Sequence, residues 1–333
     1  MGMERKVKII GTGSYLPKQR ITAEEMDRRL GVPAGWSLKK SDVRVRYFVE
    51  DETAAEMGAF AAQAALQDAG LTFADIDCIV CASGTMQQPI PCTAALIQQA
   101  MGQGQSGVPS FDINSTCLSF LAALDVMSYL IAAGRYRRIL IVSTEIASVG
   151  LNWEHKESAV LFGDGAAAVI VSQSATHEQS RIEASLMETY STGASYSEIR
   201  GGGTGLHAKL YDDTRMSDYM FHMDGHAIYK MASKLLPEFL ERLLGPGNTA
   251  MSQFPLIIPH QGSAMAMRVI SRKLGIAPEQ LMNITADHGN TIAASIPMGL
   301  HEAIRQGRMQ RGDRVLLLGT SAGLSLGGLV LDY

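Results

Sequence analysis

Cysteine is scarce in this chain: Cys78, Cys81, Cys92 and Cys117 are the only four among 333 residues. That is too few for a disulfide framework, so a reducing cytoplasm is the expected setting. Excess positive charge is missing too. Twenty-nine Lys and Arg stand against 33 Asp and Glu, a net charge of -4, which excludes binding nucleic acid with the whole surface. No run approaches the roughly 18 apolar residues of a membrane span. The opening MGMERKVKIIGTG lacks the long apolar region and cleavage site of a signal peptide, and Met1-Gly2-Met3-Glu4-Arg5-Lys6 lacks the Ser or Thr of a myristoylation motif. What is present is 46% hydrophobic and 19% charged, a globular, core-rich composition with room for one large domain or two ordinary ones.

Continuous apolar runs recur at 7–13, 76–84, 138–145, 166–172, 255–261 and 314–320, as expected for strands covered on both faces. Helical stretches at 53–69, 117–133, 226–244 and 291–306 separate them, which predicts a layered α/β fold. The halves resemble each other. FDINSTC leads into a helix, a Gly-Arg and RILIVSTE; MNITADHGN leads into a helix, a Gly-Arg and RVLLLGTS. In this reading Cys117 and Asn290 hold related places, and DIDCIVCASGT matches FPLIIPHQGS, which sets His260 just past a strand. A duplicated unit brings equivalent strand ends together, a natural place for a site. GGGTG at 201–205 joins no strand to a helix and reads as a surface loop or flap.

Cys117 stands where a helix begins. Unpaired N–H groups and the helix dipole favour thiolate there, and the same N–H groups stabilise an oxyanion. A buried core cysteine would look the same from this position alone. His260, at a strand end, suits proton transfer or hydrogen-bond donation. Asn290, after Gly289, offers two uncharged donors. His222 and His226 have the spacing of two metal ligands on a helix, but Gly225 weakens that helix and no acidic third ligand stands out. Cys78 and Cys81 lie in one strand and face opposite ways.

The order Cys117, His260, Asn290, with PHQ (259–261), HGNTIAASIP (288–297), FGDGAAAVIV (162–171) and IIGTGSYLP (9–17), resembles the β-ketoacyl-acyl carrier protein synthase III family of the thiolase superfamily. The likeness spans nearly the whole chain. It implies an α/β thiolase fold of duplicated αβαβα layers, with 1–173 carrying the nucleophile and 174–333 carrying His and Asn. It implies that Cys117 takes an acyl group from acyl-CoA. His260 and Asn290 then hold a malonyl thioester, on carrier protein or coenzyme A, which loses carbon dioxide and attacks the acyl-cysteine. Backbone N–H groups of Cys117 and of Ala322 would form the oxyanion hole. Trp36, Lys40 and Lys156 match coenzyme A contacts. A homodimer is implied, with no cofactor beyond the coenzyme A thioester substrate and no metal.

Departures from the pattern matter. Met265 stands where the family has an Arg linked to carrier-protein docking, with Arg268 one turn later. Ser321-Ala322-Gly323 replaces a glycine run, so Ala322 needs an allowed φ. In 85–98, the segment expected to enter the partner's acyl pocket, Ile90 replaces a large aromatic; Met86 and Met223 would line that pocket. No Glu appears there, which favours decarboxylation over deprotonation of a donor. Fatty-acid initiation and a specialised, polyketide-like pathway both fit. Transfer of the acyl group to a hydroxyl or amine, without condensation, is the alternative chemistry, and a non-catalytic partner subunit a third reading.

Overall fold

The computed structural model describes residues 4–333; Met1–Met3, the start of the segment read for targeting signals, lie outside the described residues. The apolar runs form two large sheets. The first has the spatial order Val7–Tyr15, Gly165–Gln173, Arg138–Glu145, Cys78–Cys81, Ser110–Asp112. The second has the order Leu256–Pro259, Arg314–Ser321, Ser325–Asp332, Arg181–Thr189. In the first, Cys78–Cys81 runs parallel to Arg138–Glu145, which is antiparallel to Gly165–Gln173. The second repeats the pattern. Leu256–Pro259 is parallel to Arg314–Ser321, which is antiparallel to Ser325–Asp332. Even the strand Ser110–Asp112 has a counterpart, a single parallel bridge from Ile257 to Leu281.

Alternation along each strand divides the core into layers. Val80, Ile258 and Leu317 face a central core that holds helix Ser119–Ala132 and helix Ser295–Arg305. Ile79 and Cys81 face an outer core under the alanine-rich helix Ala54–Ala69. Ile257 and Leu316 face a third core under helix Gly225–Leu244. One core between the two sheets and one on the outer face of each make five layers, α-β-α-β-α. The central helices bury most of their residues there, Phe120, Leu121 and Leu124 from one and Ile296, Met298 and Leu300 from the other.

The duplication differs in register from the sequence reading. Asn114 Oδ1 accepts the N–H of Thr116 at 2.8 Å, and Asn290 Oδ1 accepts the N–H of Ile292 at 2.9 Å. A short 3-10 turn follows each, Thr116–Leu118 and Ile292–Ala294, and then the central helix. Asn290 therefore corresponds to Asn114, and Cys117 to Ala293. The expected helix 291–306 begins only at Ser295 for the same reason.

A buried cation ties the halves together. Arg5 is fully buried, and its Nη2 lies 2.5 Å from Asp125 Oδ1 on a central helix and 3.0 Å from Ser185 Oγ on the second sheet. Removing one partner of such a pair strands a buried charge. Asp125→Ala should lower stability by about 3 kcal/mol, read as a lower urea midpoint at unchanged slope; an unshifted midpoint would show that the pair adds nothing.

Candidate active site

Cys117 occupies the middle of the turn Thr116–Leu118. Thr116 holds φ 49°, unusual for a β-branched residue, and Asn114 pins its N–H. Ser119 accepts the N–H of Ser115 at 2.8 Å, and its hydroxyl reaches the Thr116 carbonyl at 2.7 Å. The turn is thus fixed on both sides of the thiol. The N–H groups of Cys117 and Ala322 both act on the sulfur. Ala322 needs no left-handed φ; Gly323 beside it takes φ 142°. Thr116 Oγ1 donates to the Ala322 carbonyl at 3.3 Å, joining the two segments.

Cys117 is half-buried as a residue, yet burial pushes its thiol pKa up to about 12, with the Glu145 carboxylate adding to the rise. The two amides pull the other way and do not win. The amides favour thiolate, as its place at a helix start implied, but desolvation outweighs them in the free protein.

His260 follows strand Leu256–Pro259, and its N–H donates to the Leu318 carbonyl at 2.8 Å. Its Nδ1 lies 2.7 Å from Ser295 Oγ, which also accepts the Gln261 N–H at 3.3 Å. In the tautomer in which Ser295 donates to Nδ1, Nε2 carries the ring proton and is a donor. Burial holds the imidazole down at about 4, so it is neutral at physiological pH. Asn290 is buried; its Oδ1 is held by Ile292, and its Nδ2 makes only a long contact, 3.4 Å, with the Gly262 carbonyl. Glycine at 319 is required for closure: a Cβ there would lie 2.8 Å from His260 Cβ and 3.0 Å from Leu118 Cδ2. The contacts run unbroken from Cys117 through Leu118 and Gly319 to His260, then through Gly262 to Asn290.

Around this centre, Lys40 Nζ lies 5.7 Å from the Trp36 ring centroid and 2.8 Å from Glu157, the neighbour of Lys156. Trp36 and Ile292 pack on one apolar cluster. Met86 and Ile90 are exposed, Ile90 at 85%, and Met223 is half-buried in a two-residue strand. Met265 is exposed, and Arg268 is ion-paired with Asp42. His222 lies on that short strand, three residues before helix Gly225–Leu244 begins, so His222 and His226 do not share a helical face. Cys78 and Cys81 face different cores. Asp164 of FGDGAAAVIV accepts the N–H groups of Val49 and Ser148 and is structural.

Sequence reasoning passed over two residues. Ser295 orients the His260 imidazole. Glu145, wholly buried, accepts the N–H of Gly84 at 2.5 Å and of Thr85 at 3.0 Å. A carboxylate closing an eight-residue apolar strand was the available signal.

Two repeated α/β halves meeting at a cysteine turn, with neutral donors opposite, define a thiolase-fold acyltransferase. Comparison with known proteins is in accord. The family model described as 3-Oxoacyl-[acyl-carrier-protein (ACP)] synthase III matches residues 111–191, and its C-terminal model matches 247–333. A Beta-ketoacyl-[acyl-carrier-protein] synthase III of Vesicomyosocius okutanii is 31% identical, over 99% of this chain and 100% of the relative. One from Aquifex aeolicus is 34% identical over 98% and 99%. The crystal structure of the Aquifex aeolicus VF5 3-oxoacyl-[acyl-carrier-protein] synthase III superposes with a TM-score of 0.87 at 31% identity, covering 98% of this chain and 100% of that one. A variant of Xanthomonas campestris OleA, 20% identical with a TM-score of 0.85, shares the fold. The chain belongs to the β-ketoacyl-acyl carrier protein synthase III family and is a condensing acyltransferase.

The His260 shift has a sign. Its folded-state pKa is depressed below the ordinary 6.5, so the stabilisation is present above pH 6.5 and lost as pH falls towards 4. The urea midpoint of the wild type should fall through that window. His260→Asn should fall less steeply there; parallel curves would contradict a buried neutral imidazole.

Proposed function

We propose that the protein carries an acyl group on Cys117 and condenses it with a decarboxylated malonyl thioester. Cys117 Sγ attacks the carbonyl of an acyl-CoA, and the oxyanion settles on the N–H groups of Cys117 and Ala322. The carbonyl re-forms, coenzyme A leaves with the thiol proton, and an acyl-cysteine remains. A malonyl thioester then places its carbonyl oxygen between His260 Nε2 and Asn290 Nδ2. The carboxylate departs as carbon dioxide, and the electron pair becomes an enolate whose oxygen is held by two neutral donors. The enolate carbon attacks the acyl-cysteine, and Cys117 leaves as thiolate from a β-ketoacyl thioester.

The observation that carries this reading is a pair of side-chain nitrogens: Nε2 of the neutral His260 imidazole, and the Asn290 Nδ2 group with its single weak contact. Simple transfer to a hydroxyl or amine has no use for an enolate site, so condensation is favoured. Trp36 with Lys40 suits the adenine and phosphates of coenzyme A, and Lys156 adds charge beside them. Exposed Ile90 and Met86 fit a segment completed by a second copy, with Met223 on the pocket wall. Met265 and the engaged Arg268 weaken carrier-protein docking, so malonyl-CoA competes with malonyl-acyl carrier protein as donor. No resident cofactor is needed for these steps. Fatty-acid initiation and a polyketide-like pathway both begin with this chemistry.

The test is acylation. Wild type incubated with a panel of acyl-CoA esters should gain one acyl mass, and Cys117→Ala none. Malonyl-acyl carrier protein or malonyl-CoA should then discharge the adduct with release of carbon dioxide. Asn290→Ala should keep the adduct and lose at least about a hundredfold in condensation, by analogy with losing an oxyanion-hole donor. An adduct discharged by alcohols or amines at equal rate would favour simple transfer; no adduct from any ester would overturn the reading.

A further inference from the structure

Glu145 takes no part in the steps above, yet it is buried at the centre of the site. Its carboxylate faces hydrogen-bond donors: the Gly84 N–H at 2.5 Å, the Thr85 N–H at 3.0 Å, the Thr85 hydroxyl at 2.6 Å and the N–H of Ala293. No cation pairs with it among the described residues. These donors come from two segments. Gly84 and Thr85 form the turn that leaves strand Cys78–Cys81 towards Met86 and Ile90. Ala293 lies in the turn that follows Asn290 and is the counterpart of Cys117.

Gly84 is wedged between the two halves. A Cβ there would stand 2.7 Å from Ile292 Cγ2 and 3.2 Å from the Thr116 carbonyl carbon. Thr116 and Ile292 are the two β-branched residues with left-handed backbones, each at φ 49°. Such a conformation persists only where the surroundings over-determine it. The carboxylate holds Gly84 from one side and Ala293 from the other, so both strained turns are locked through one group.

We propose that Glu145 is a positioning residue for the acyl transfer: it clamps the Gly84–Thr85 turn to the Ala293 turn and so aims Cys117 and Asn290, while setting a carboxylate against the thiol. This rests on Cys117 being the nucleophile. The titratable groups that face Glu145 are the thiols of Cys117 and Cys81; its charge acts on both. Burial raises the Glu145 carboxyl to about 7, with the amide and hydroxyl donors opposing. When ionised it opposes thiolate at Cys117; without it the thiol ionises more easily.

The test separates charge from shape. Glu145→Gln removes the charge and keeps the size, Glu145→Asp keeps the charge, and Glu145→Ala removes both. Each is measured for alkylation of Cys117 by iodoacetamide from pH 6 to 10, by intact mass with Cys117→Ala as reference, and for kcat and KM with acyl-CoA. Glu145→Gln should alkylate about tenfold faster at a given pH, an apparent pKa lower by about one unit, while kcat falls about tenfold because the Gln amide turns a donor towards the backbone N–H groups. Glu145→Ala should lose about a hundredfold in kcat with KM little changed, a positioning loss, and Glu145→Asp should recover part of it. If Glu145→Ala does not fold, the other two variants decide. Wild-type alkylation profiles and kcat in them would overturn the proposal. So would lower thermal stability with an unmoved profile, which would make the residue merely structural. The alkylation profile needs no substrate. A wild type that accepts no acyl group would sink the functional reading and still leave Glu145's effect on the thiol measurable.

Discussion

Two asparagine side chains set the geometry on which this molecule depends. Asn114 and Asn290 each fold back to accept the N–H two residues on, and each forces the next residue but one into a left-handed backbone. That one interaction sets up the short turn from which each buried helix starts, Thr116–Leu118 in one half and Ile292–Ala294 in the other. Made twice, on either side of a pseudo-twofold axis, it brings Cys117 from the first half close to Asn290 of the second. A polar side chain serves here where backbone pairing fails, because both turns leave N–H groups that neither strand nor helix can satisfy.

Diverged use of equivalent positions then makes the site. Cys117 and Ala293 are counterparts, and so are Asn114 and Asn290. One half uses the turn to present a thiol, the other to present a carboxamide. His260 sits at a strand end whose counterpart is Ala82, both donating to the neighbouring strand. An apolar Ala82 suffices where only packing is needed. On the other side the imidazole is oriented by Ser295, at the position equivalent to Ser119.

Burial governs the electrostatics. It raises the Cys117 thiol, lowers the His260 imidazole and raises the Glu145 carboxyl, so all three move towards their neutral forms. A dry, neutral centre lined with oriented donors suits charge that appears only during reaction, on a thioester oxygen or an enolate. Neutral donors also avoid binding the departing carboxylate too tightly. The charged residues stay at the mouth, where Lys40 and Glu157 remain partly exposed.

Much of this was readable from residue order. Apolar runs without polar alternation marked doubly covered strands, and helix RQGRMQRGDRVLLLGTS-type junctions marked the repeat. His260 stood out at the end of such a run, and Cys117 and Asn290 where helices were expected to begin. The register of the repeat was misread by three residues, since a hydrogen bond from Asn114 to its own backbone leaves no trace in composition. Glu145 and Ser295 stayed hidden because their roles rest on partners 60 and 35 residues away. The sequence by itself determined the layered α/β class and the existence of a repeat, and it singled out Cys117, His260 and Asn290 as candidates, because periodicity and residue type are local properties. Tertiary structure alone decided the protonation of the thiol and imidazole and the pairing of the two turns. Desolvation and donor direction arise only when distant segments close around a group.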